Sequence, residues 1–212
     1  MKDVVRRGYD VLSHAYEQAY PTGTKYRPWL TGLLGGLTPG SRVVDLGSGC
    51  GLPVASSFAD AGHRVTGVDF SEVQVRRARE LVPGAEFVCA DVSEVDFPAG
   101  SVDAVTSFYL LIHLPLAEQP PLLARIARWL RPGGWFLCTM GHGAWTGVDE
   151  NWLGGGAAMW WSHADADTNR AWLTEAGFTV EHEEFVPEGD GGAVLFRART
   201  DRDPAGSGGS GS

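Results

Sequence analysis

A carboxylate followed by alternating glycines is the stretch of this sequence best suited to chemistry. Asp45 closes a short apolar run and is followed by Leu46-Gly47-Ser48-Gly49-Cys50-Gly51. The apolar residues before it predict a buried strand, and the residues after Pro53 predict a helix, because proline is tolerated in a first helical turn. Glycines between a strand and a helix let a ligand lie against bare backbone at the helix N-terminus.

The position of the carboxylate restricts what that ligand can be. Asp45 would repel a pyrophosphate and attract an ammonium or sulfonium group. A dinucleotide-binding fingerprint needs a glycine where this chain has Leu52, and a P-loop needs a Gly-Lys-Ser/Thr that is missing. The alternative is an ordinary glycine-rich turn without a ligand.

The pattern Asp-x-Gly-x-Gly-x-Gly in a strand-to-helix context resembles the first motif of the class I S-adenosylmethionine-dependent methyltransferases. The resemblance implies S-adenosylmethionine as the cofactor. As a fold it extends over about residues 9–200, but its specific motifs lie between Asp45 and Val92.

Two further acids follow the next two predicted strands. Asp69 is placed to accept hydrogen bonds from both ribose hydroxyls, as acids do in dinucleotide folds, and Phe70 to face the adenine. By the resemblance, Asp91 accepts from the adenine amino group and the amide of Val92 donates to the ring. Each acid alone is equally well explained as a helix N-cap. Together they predict a cofactor site made of Tyr16, Asp45, Gly47, Ser48, Gly49, Asp69, Phe70, Asp91, Val92 and Phe108.

Methyl transfer needs a nucleophile aligned with the methyl group, and some nucleophiles also need a base. Histidine titrates near neutral pH, so His113, His142 and His163 are the candidates. A structural, hydrogen-bonded histidine is at least as good an interpretation of any one of them. The resembling family has no universal base.

A tryptophan-rich segment, residues 141–164, is predicted to be an insertion on the acceptor side. Trp145, Trp160 and Trp161 would form aromatic walls for a flat or apolar acceptor. The alternative is that these side chains fill a core under a long loop. Residues 160–165 are expected to be a loop that delivers polar groups to the pocket and then caps the next helix.

Elements that alternate along the chain must position these residues. Short apolar strands separated by helices predict an α/β fold with a doubly wound, mostly parallel seven-stranded sheet, preceded by N-terminal helices and closed by a β-hairpin. We expect one domain over residues 1–200, with residues 1–36 forming lid helices or packing at a sheet edge. Residues 201–212 are expected to be a disordered tail or linker.

Composition limits the partners. A formal net charge of −9 gives no counterion-release energy on a phosphate backbone, so nucleic acid is not an expected partner. The chain has no apolar run of membrane-spanning length and no signal peptide, which predicts a cytoplasmic protein without membrane contact. Its three cysteines lack metal-ligand spacing, so no metal is predicted. The oligomeric state is not predicted.

The predicted function is transfer of a methyl group to an O or N nucleophile of a small aromatic or apolar molecule. One alternative keeps the cofactor fold but catalyses a reaction without methylation, such as a cyclisation. Another is methylation of nucleic acid. Enzymes that methylate base amines carry Asn/Asp-Pro-Pro-Tyr/Phe after the fourth strand, where this chain has Ser107-Phe108-Tyr109-Leu110.

Overall fold

The structure, a computed structural model, describes residues 1–20, 25–189 and 191–201. The helices are α1 (Lys2–Ala19), α2 (Arg27–Leu34), α3 (Val54–Asp60), α4 (Glu72–Leu81), α5 (Gln119–Trp129) and α6 (Ala166–Glu175). The strands are β1 (Arg42–Leu46), β2 (Arg64–Asp69), β3 (Glu86–Cys89), β4 (Val102–Ser107), β5 (Leu130–Gly141), β6 (Trp145–Trp152), β7 (Ala157–His163), β8 (Phe178–Glu188) and β9 (Gly191–Thr200).

Seven of these strands form one sheet in the order β3-β2-β1-β4-β5-β9-β8. The first five run parallel, β9 is antiparallel to β5, and β8 is antiparallel to β9. The mostly parallel, doubly wound sheet and the closing hairpin are therefore confirmed. Helices cover both faces, which is why β1 is apolar on both sides, with Val43, Val44 and Leu46 all buried.

The strand order reverses between β1 and β4, and this switch point fixes where a ligand can bind. Asp45 pairs in register with Gly67 of β2 on one side and with Thr106 of β4 on the other. Asp69 ends β2, and Asp91 follows β3 by two residues. The carboxyl ends of parallel strands meet at one edge, so the three acids share that edge.

Helix α1 lies outside the sheet and packs on the hairpin formed by β6 and β7. Val5 and Leu12 of α1 form an apolar cluster with Trp152, Met159 and Trp160. Gly8 permits this close approach, because a Cβ there would lie 2.7 Å from Cε of Met159.

The β6–β7 hairpin corrects the prediction for residues 160–165. Trp160, Trp161 and His163 belong to β7 and pair with β6, so the predicted loop is wrong as far as His163. The alternation that identifies a strand is missing, because Met159, Trp160 and Ser162 are all buried between flanking elements. Asp165 does cap α6, accepting a hydrogen bond from the Thr168 amide at 2.8 Å.

Smaller differences concern element ends. The sequence predicts a helix over residues 122–130, whereas α5 begins at Gln119, because two prolines fit its first turn. It predicts the closing hairpin strands over residues 179–185 and 193–197, and both strands extend further, over Phe178–Glu188 and Gly191–Thr200. A loop predicted over residues 21–24, the predicted turn residue Asp190 and the tail from residue 202 onward lie outside the described residues.

Among the described residues, no helix is both long and apolar enough to cross a bilayer. That same part of the chain holds no cluster of three or more His, Cys, Asp or Glu side chains suited to a metal ion.

Candidate active site

The glycine turn after β1 has a left-handed backbone. Gly47, Gly49 and Gly51 have φ angles of 71°, 54° and 82°, values that side chains with a Cβ rarely adopt. A Cβ at Gly47 would lie 2.8 Å from Cβ of Leu110, whereas one at Gly49 would point into open space. The amides of Gly47 and Ser48 both donate to the carbonyl of Val68 and hold the turn on β2.

Asp45 lies beneath this turn with only 2% of its surface exposed. One carboxylate oxygen, Oδ1, accepts a hydrogen bond from the Thr106 hydroxyl at 2.7 Å. The other, Oδ2, is buried and has no partner among the described residues. Burial raises the pKa of Asp45 to about 7, against the lowering effect of Thr106. An unpartnered buried oxygen is costly, and a ligand ammonium group would satisfy it.

Asp69 braces the turn from β2. Its Oδ2 accepts from the Gly49 amide and its Oδ1 from the Ser71 amide, both at 2.9 Å. Burial raises the pKa of Asp69 to about 6, although these two amides lower it. Each carboxylate oxygen keeps a free lone pair, so Asp69 can still accept from ligand hydroxyls.

The carboxylate of Asp91 forms an ion pair with the N-terminal helix α1. Its Oδ2 lies 2.9 Å from Nζ of Lys2, while its Oδ1 accepts from the amide and hydroxyl of Ser93. Lys2 also pairs with Glu118. Asp91, which is predicted to accept a hydrogen bond from the adenine amino group, is thus also the residue that anchors α1 at the edge of the sheet.

All ten predicted cofactor residues line two adjoining cavities at this edge of the sheet. The inner cavity includes Asp69, Phe70, Asp91 and Val92, and the cavity beside the glycine turn includes Asp45 and Ser48. Both cavities are lined by Tyr16, Gly47, Gly49 and Phe108. The ten residues come from five separate stretches of chain, and the fold brings them together.

A third cavity adjoins the inner one on the side of the β6–β7 hairpin. It shares Tyr9, Tyr16, Tyr109 and His113 with the inner cavity and is closed by aromatic side chains of the hairpin. Trp161, one of the three residues predicted to contact the acceptor, lines this cavity. Trp160 lines none of the described cavities, because it is buried in the cluster between α1 and the hairpin. Trp145 lies further out and lines an open groove.

His113 is buried between the inner and the third cavity. Its Nδ1 lies 2.7 Å from the carbonyl of Trp160, which can only accept, so Nδ1 carries the hydrogen. Its Nε2 lies 3.1 Å from the hydroxyl of Tyr9 and therefore accepts from it. Burial lowers the pKa of His113 to about 4, so the ring is neutral at pH 7.

The other two candidate histidines lie outside these cavities. His142 is exposed, with its ring edge-on to Phe185 at a centroid distance of 4.6 Å. His163 donates from Nδ1 to the carbonyl of Gly143 at 2.6 Å and lines the outer groove beside Trp145. The structure brings one of the three histidines to the cofactor edge.

Comparison with known proteins identifies a methyltransferase domain in this chain. Residues 43–134 match the family described as "Methyltransferase domain". The 27-O-demethylrifamycin SV methyltransferase of Amycolatopsis mediterranei is 30% identical over 152 residues, which cover 61% of this chain and 55% of that protein. The 2-methyl-6-phytyl-1,4-hydroquinone methyltransferase of Synechocystis is 37% identical over 101 residues, covering 46% of this chain and 31% of that protein.

The chain contains a methyltransferase domain at residues 43–134, and its similarity in sequence and fold is to the class I S-adenosylmethionine-dependent methyltransferases. It spans about half, or less, of the length of these curated relatives. Among solved structures, the Burkholderia thailandensis 1,6-didemethyltoxoflavin-N1-methyltransferase has the same fold, with a TM-score of 0.72 at 24% identity over 94% of this chain and 88% of that one. The [4+2]-cyclase SpnF also shares the fold, with a TM-score of 0.63 at 22% identity over 82% and 81%.

S-adenosylmethionine is the cofactor of this family, and the residues of this chain fit it. The buried, unpartnered Oδ2 of Asp45 matches an ammonium group beside a turn that leaves its backbone bare. Asp69 retains acceptor capacity for a diol. The carboxylates on this edge also match a cofactor that carries positive charge.

Helix α1 covers the inner cavity and the cavity beside the glycine turn, and polar contacts hold it there at several points along its length. The hydroxyl of Ser71 donates to Asp10 at 2.7 Å, and the hydroxyl of Ser13 donates to Gln74 at 2.8 Å. Arg77 of α4 pairs with Glu17 near the end of α1. These contacts support the interpretation of α1 as a lid over the site.

Several residues of the site were not predicted from the sequence. Tyr9, Gln74, Tyr109 and Leu110 line the inner cavity, and Tyr26 lines the third cavity. One signal was available for Tyr9, which lies seven residues before Tyr16 and therefore on the same face of α1. Sequence spacing gives no such signal for Gln74, because its position depends on how α4 packs under α1.

Proposed function

We propose that this protein transfers a methyl group from S-adenosylmethionine to an O or N nucleophile of a small molecule with an aromatic or apolar body. The Tyr9–His113 pair carries this proposal, because it stands in the walls of both the cofactor cavity and the adjoining aromatic cavity. A nucleophile held there would lie beside bound cofactor. Residues 1–36 would act as the lid and residues 141–164 as the acceptor-side wall.

Bound S-adenosylmethionine supplies a methyl group activated by a positively charged sulfur. Asp45 would hold the ammonium group, Asp69 the ribose hydroxyls, and Asp91 with the amide of Val92 the adenine. The protein then needs mainly to orient the acceptor, and orientation alone can contribute about 7–11 kcal/mol to lowering a barrier.

The Tyr9–His113 pair would provide that orientation. Since the Tyr9 hydroxyl donates its hydrogen to Nε2 of His113, its oxygen lone pairs remain to accept from the O–H or N–H of an acceptor. His113 would therefore act as a positioning residue. Its low pKa makes it a weak base, and burial raises the pKa of Tyr9 well above its usual value, so that the phenol stays protonated. The predicted catalytic roles of His142 and His163 gain no support from their positions.

The test is saturable binding of S-adenosylmethionine by calorimetry, followed by transfer of labelled methyl to a panel of phenols, carboxylic acids and amines. We expect binding and labelled product, with activity unaffected by chelators. Absence of cofactor binding at millimolar concentration would contradict the proposal.

The second candidate is a reaction without methylation, such as a cyclisation. This chain shares its fold with the [4+2]-cyclase SpnF, and one fold can support different reactions, so we retain cyclisation as the second candidate. A substrate that disappears while its product gains no methyl mass, in the presence of bound cofactor, would favour this candidate.

A further inference from the structure

The third cavity is lined by every tyrosine of the protein. The sequence contains five tyrosines, and Tyr9, Tyr16, Tyr20, Tyr26 and Tyr109 all line this cavity. The hydroxyls of Tyr9 and Tyr109 donate within the protein, to His113 and to Glu188. Those of Tyr20 and Tyr26 make no hydrogen bond to any described residue. The cavity therefore offers phenolic donors to a ligand with several oxygens.

The charged groups of the cavity already neutralise each other. Lys25 forms an ion pair with Glu188, and its Nζ also lies 4.6 Å from the centroid of the Tyr109 ring. Glu188 accepts from both Lys25 and the Tyr109 hydroxyl. A charged acceptor would have to separate this pair, whereas an uncharged one would leave it intact. Charge complementarity thus favours an uncharged acceptor.

The third cavity continues into the open groove between the β6–β7 hairpin and the β8–β9 hairpin. Both are lined by Tyr109, Ile112, Trp161 and Glu188, so an acceptor can extend from one into the other. Met140, Ala193 and Trp145 add apolar surface to the groove. The inner part has the phenolic hydroxyls, and the outer part combines this apolar surface with the polar side chains of Asp149, His163 and Glu188.

Trp145 is held in place although half of its surface is exposed. Its ring lies over Gly147, where a Cβ would come within 2.4 Å of the indole, and it contacts the Trp161 ring at a centroid distance of 5.9 Å. A fixed, exposed indole at the end of a continuous cavity is suited to contact a ligand.

We propose that the acceptor is an elongated, uncharged molecule with an oxygen-bearing ring at the five tyrosines and an apolar extension along the outer groove as far as Trp145. This rests on the proposed function, because it describes the acceptor of the same site. The chemical class is an amphiphile with a hydroxylated aromatic head and an apolar tail.

The test uses alkyl gallates as probes, since they combine a trihydroxy ring with a tail of chosen length. Methyl, butyl and octyl gallate are titrated into the protein saturated with S-adenosylhomocysteine, below their aggregation concentrations. We expect affinity to rise by about two- to fourfold per methylene that reaches apolar wall, because a fully buried methylene contributes about 0.8 kcal/mol. Gallate carrying its free carboxylate should bind at least tenfold more weakly than methyl gallate.

Trp145→Ala should lower octyl gallate affinity at least tenfold and leave methyl gallate affinity within about twofold, and Trp145→Phe should restore most of the loss. Val148→Ala is the matched control, because Val148 is an exposed residue of the same hairpin and is not one of the described groove residues. Equal affinities along the series, an equal effect of Trp145→Ala on every gallate, or no binding of any gallate would overturn the proposal.

Two separate measurements distinguish failure of this acceptor proposal from failure of the proposed function. Binding of S-adenosylhomocysteine is measured first without gallate, and methyl transfer is measured on the acceptor panel. If the cofactor does not bind, the proposed function fails, and the gallate series on the cofactor-free protein still tests the groove.

Discussion

The hydroxyl of Tyr9 lies 3.1 Å from Nε2 of His113, 104 residues further along the chain, and this bond ties the N-terminal helix to the edge of the sheet. His113 is itself fixed by the carbonyl of Trp160 at 2.7 Å. Three elements, α1, the segment after β4 and strand β7, therefore position one hydroxyl between the cofactor and acceptor cavities.

Removing that hydroxyl should slow methyl transfer. We expect Tyr9→Phe to lower kcat by about tenfold or more, because the acceptor loses the group that orients it, while cofactor affinity changes less than about threefold. The measurement is steady-state kinetics alongside calorimetry. Thr174→Val is the control, since it removes an exposed hydroxyl of α6 that lines none of the described cavities. Equal effects of the two variants would remove the proposed role of Tyr9.

Cofactor affinity should depend on pH through Asp45. The pKa of Asp45 is raised to about 7, so below that pH the carboxyl is neutral and cannot attract an ammonium group. We expect the affinity for S-adenosylmethionine to rise between pH 5 and 8, by up to about tenfold per unit below the pKa. Calorimetry across this range should show the slope, and Asp45→Asn should be weaker and flatter. A pH-independent affinity of the unmodified protein would contradict this.

The raised pKa of Asp45 also predicts a pH-dependent effect on stability. The ionised carboxylate, which favours cofactor binding, lowers the free energy of unfolding of the cofactor-free protein. The folded-state pKa of Asp45 lies above its unfolded value of 3.8, so the folded state binds more protons between these pH values. The contribution of Asp45 to the free energy of unfolding is therefore present below about pH 4 and is lost as the pH rises through 7. We expect cofactor-free Asp45→Asn to gain stability relative to the unmodified protein over this range. Denaturant titrations at pH 4.5 and 8 measure it, and a constant difference would show that the carboxyl is not perturbed.

Asp69 should be essential for tight cofactor binding. Asp69→Ala is expected to weaken S-adenosylmethionine affinity by an order of magnitude or more, because it removes a hydrogen-bond acceptor for the ribose and the brace on the Gly49 amide. Calorimetry gives the affinity, and circular dichroism checks that the fold is retained. The control is Asp60→Ala, an exposed acid at the end of α3. If Asp69→Ala binds as well as Asp60→Ala, Asp69 serves only the turn.

Lid closure should depend on Lys2. We expect Lys2→Met to raise the dissociation rate of S-adenosylhomocysteine several-fold, because Lys2 is the ion-pair tie from the start of α1 to Asp91 and Glu118. Stopped-flow displacement measures the rate. Arg6→Met is the control, since the ion pairs of Arg6, to Asp3 and Asp10, stay within α1. Identical rates for the two variants would argue against a lid held by Lys2.

Local sequence patterns were sufficient to predict most of the fold around the carboxyl edge of the sheet, where the three acids lie. The alternating glycines, the acids after successive strands and the alternation of strands and helices each depend on residues near one another in sequence. All ten residues predicted for the cofactor site, including Asp45, Asp69 and Asp91, line the two adjoining cavities at this edge of the sheet. The prediction of a loop at residues 160–165 was wrong because a strand covered on both sides lacks polar and apolar alternation.

The sequence by itself determined the α/β fold, the cofactor class and the carboxylates at one edge of the sheet, since these follow from short-range patterns and from the rule that parallel strands end together. Only the tertiary structure decided that His113, and neither His142 nor His163, reaches the edge of the sheet where the acids lie, and that Trp161 lines the third cavity while Trp160 packs under α1. It also brought Tyr109 into one cavity with the four tyrosines near the N-terminus. Which face of a strand or helix meets a ligand depends on packing between remote segments, and no local spacing encodes that.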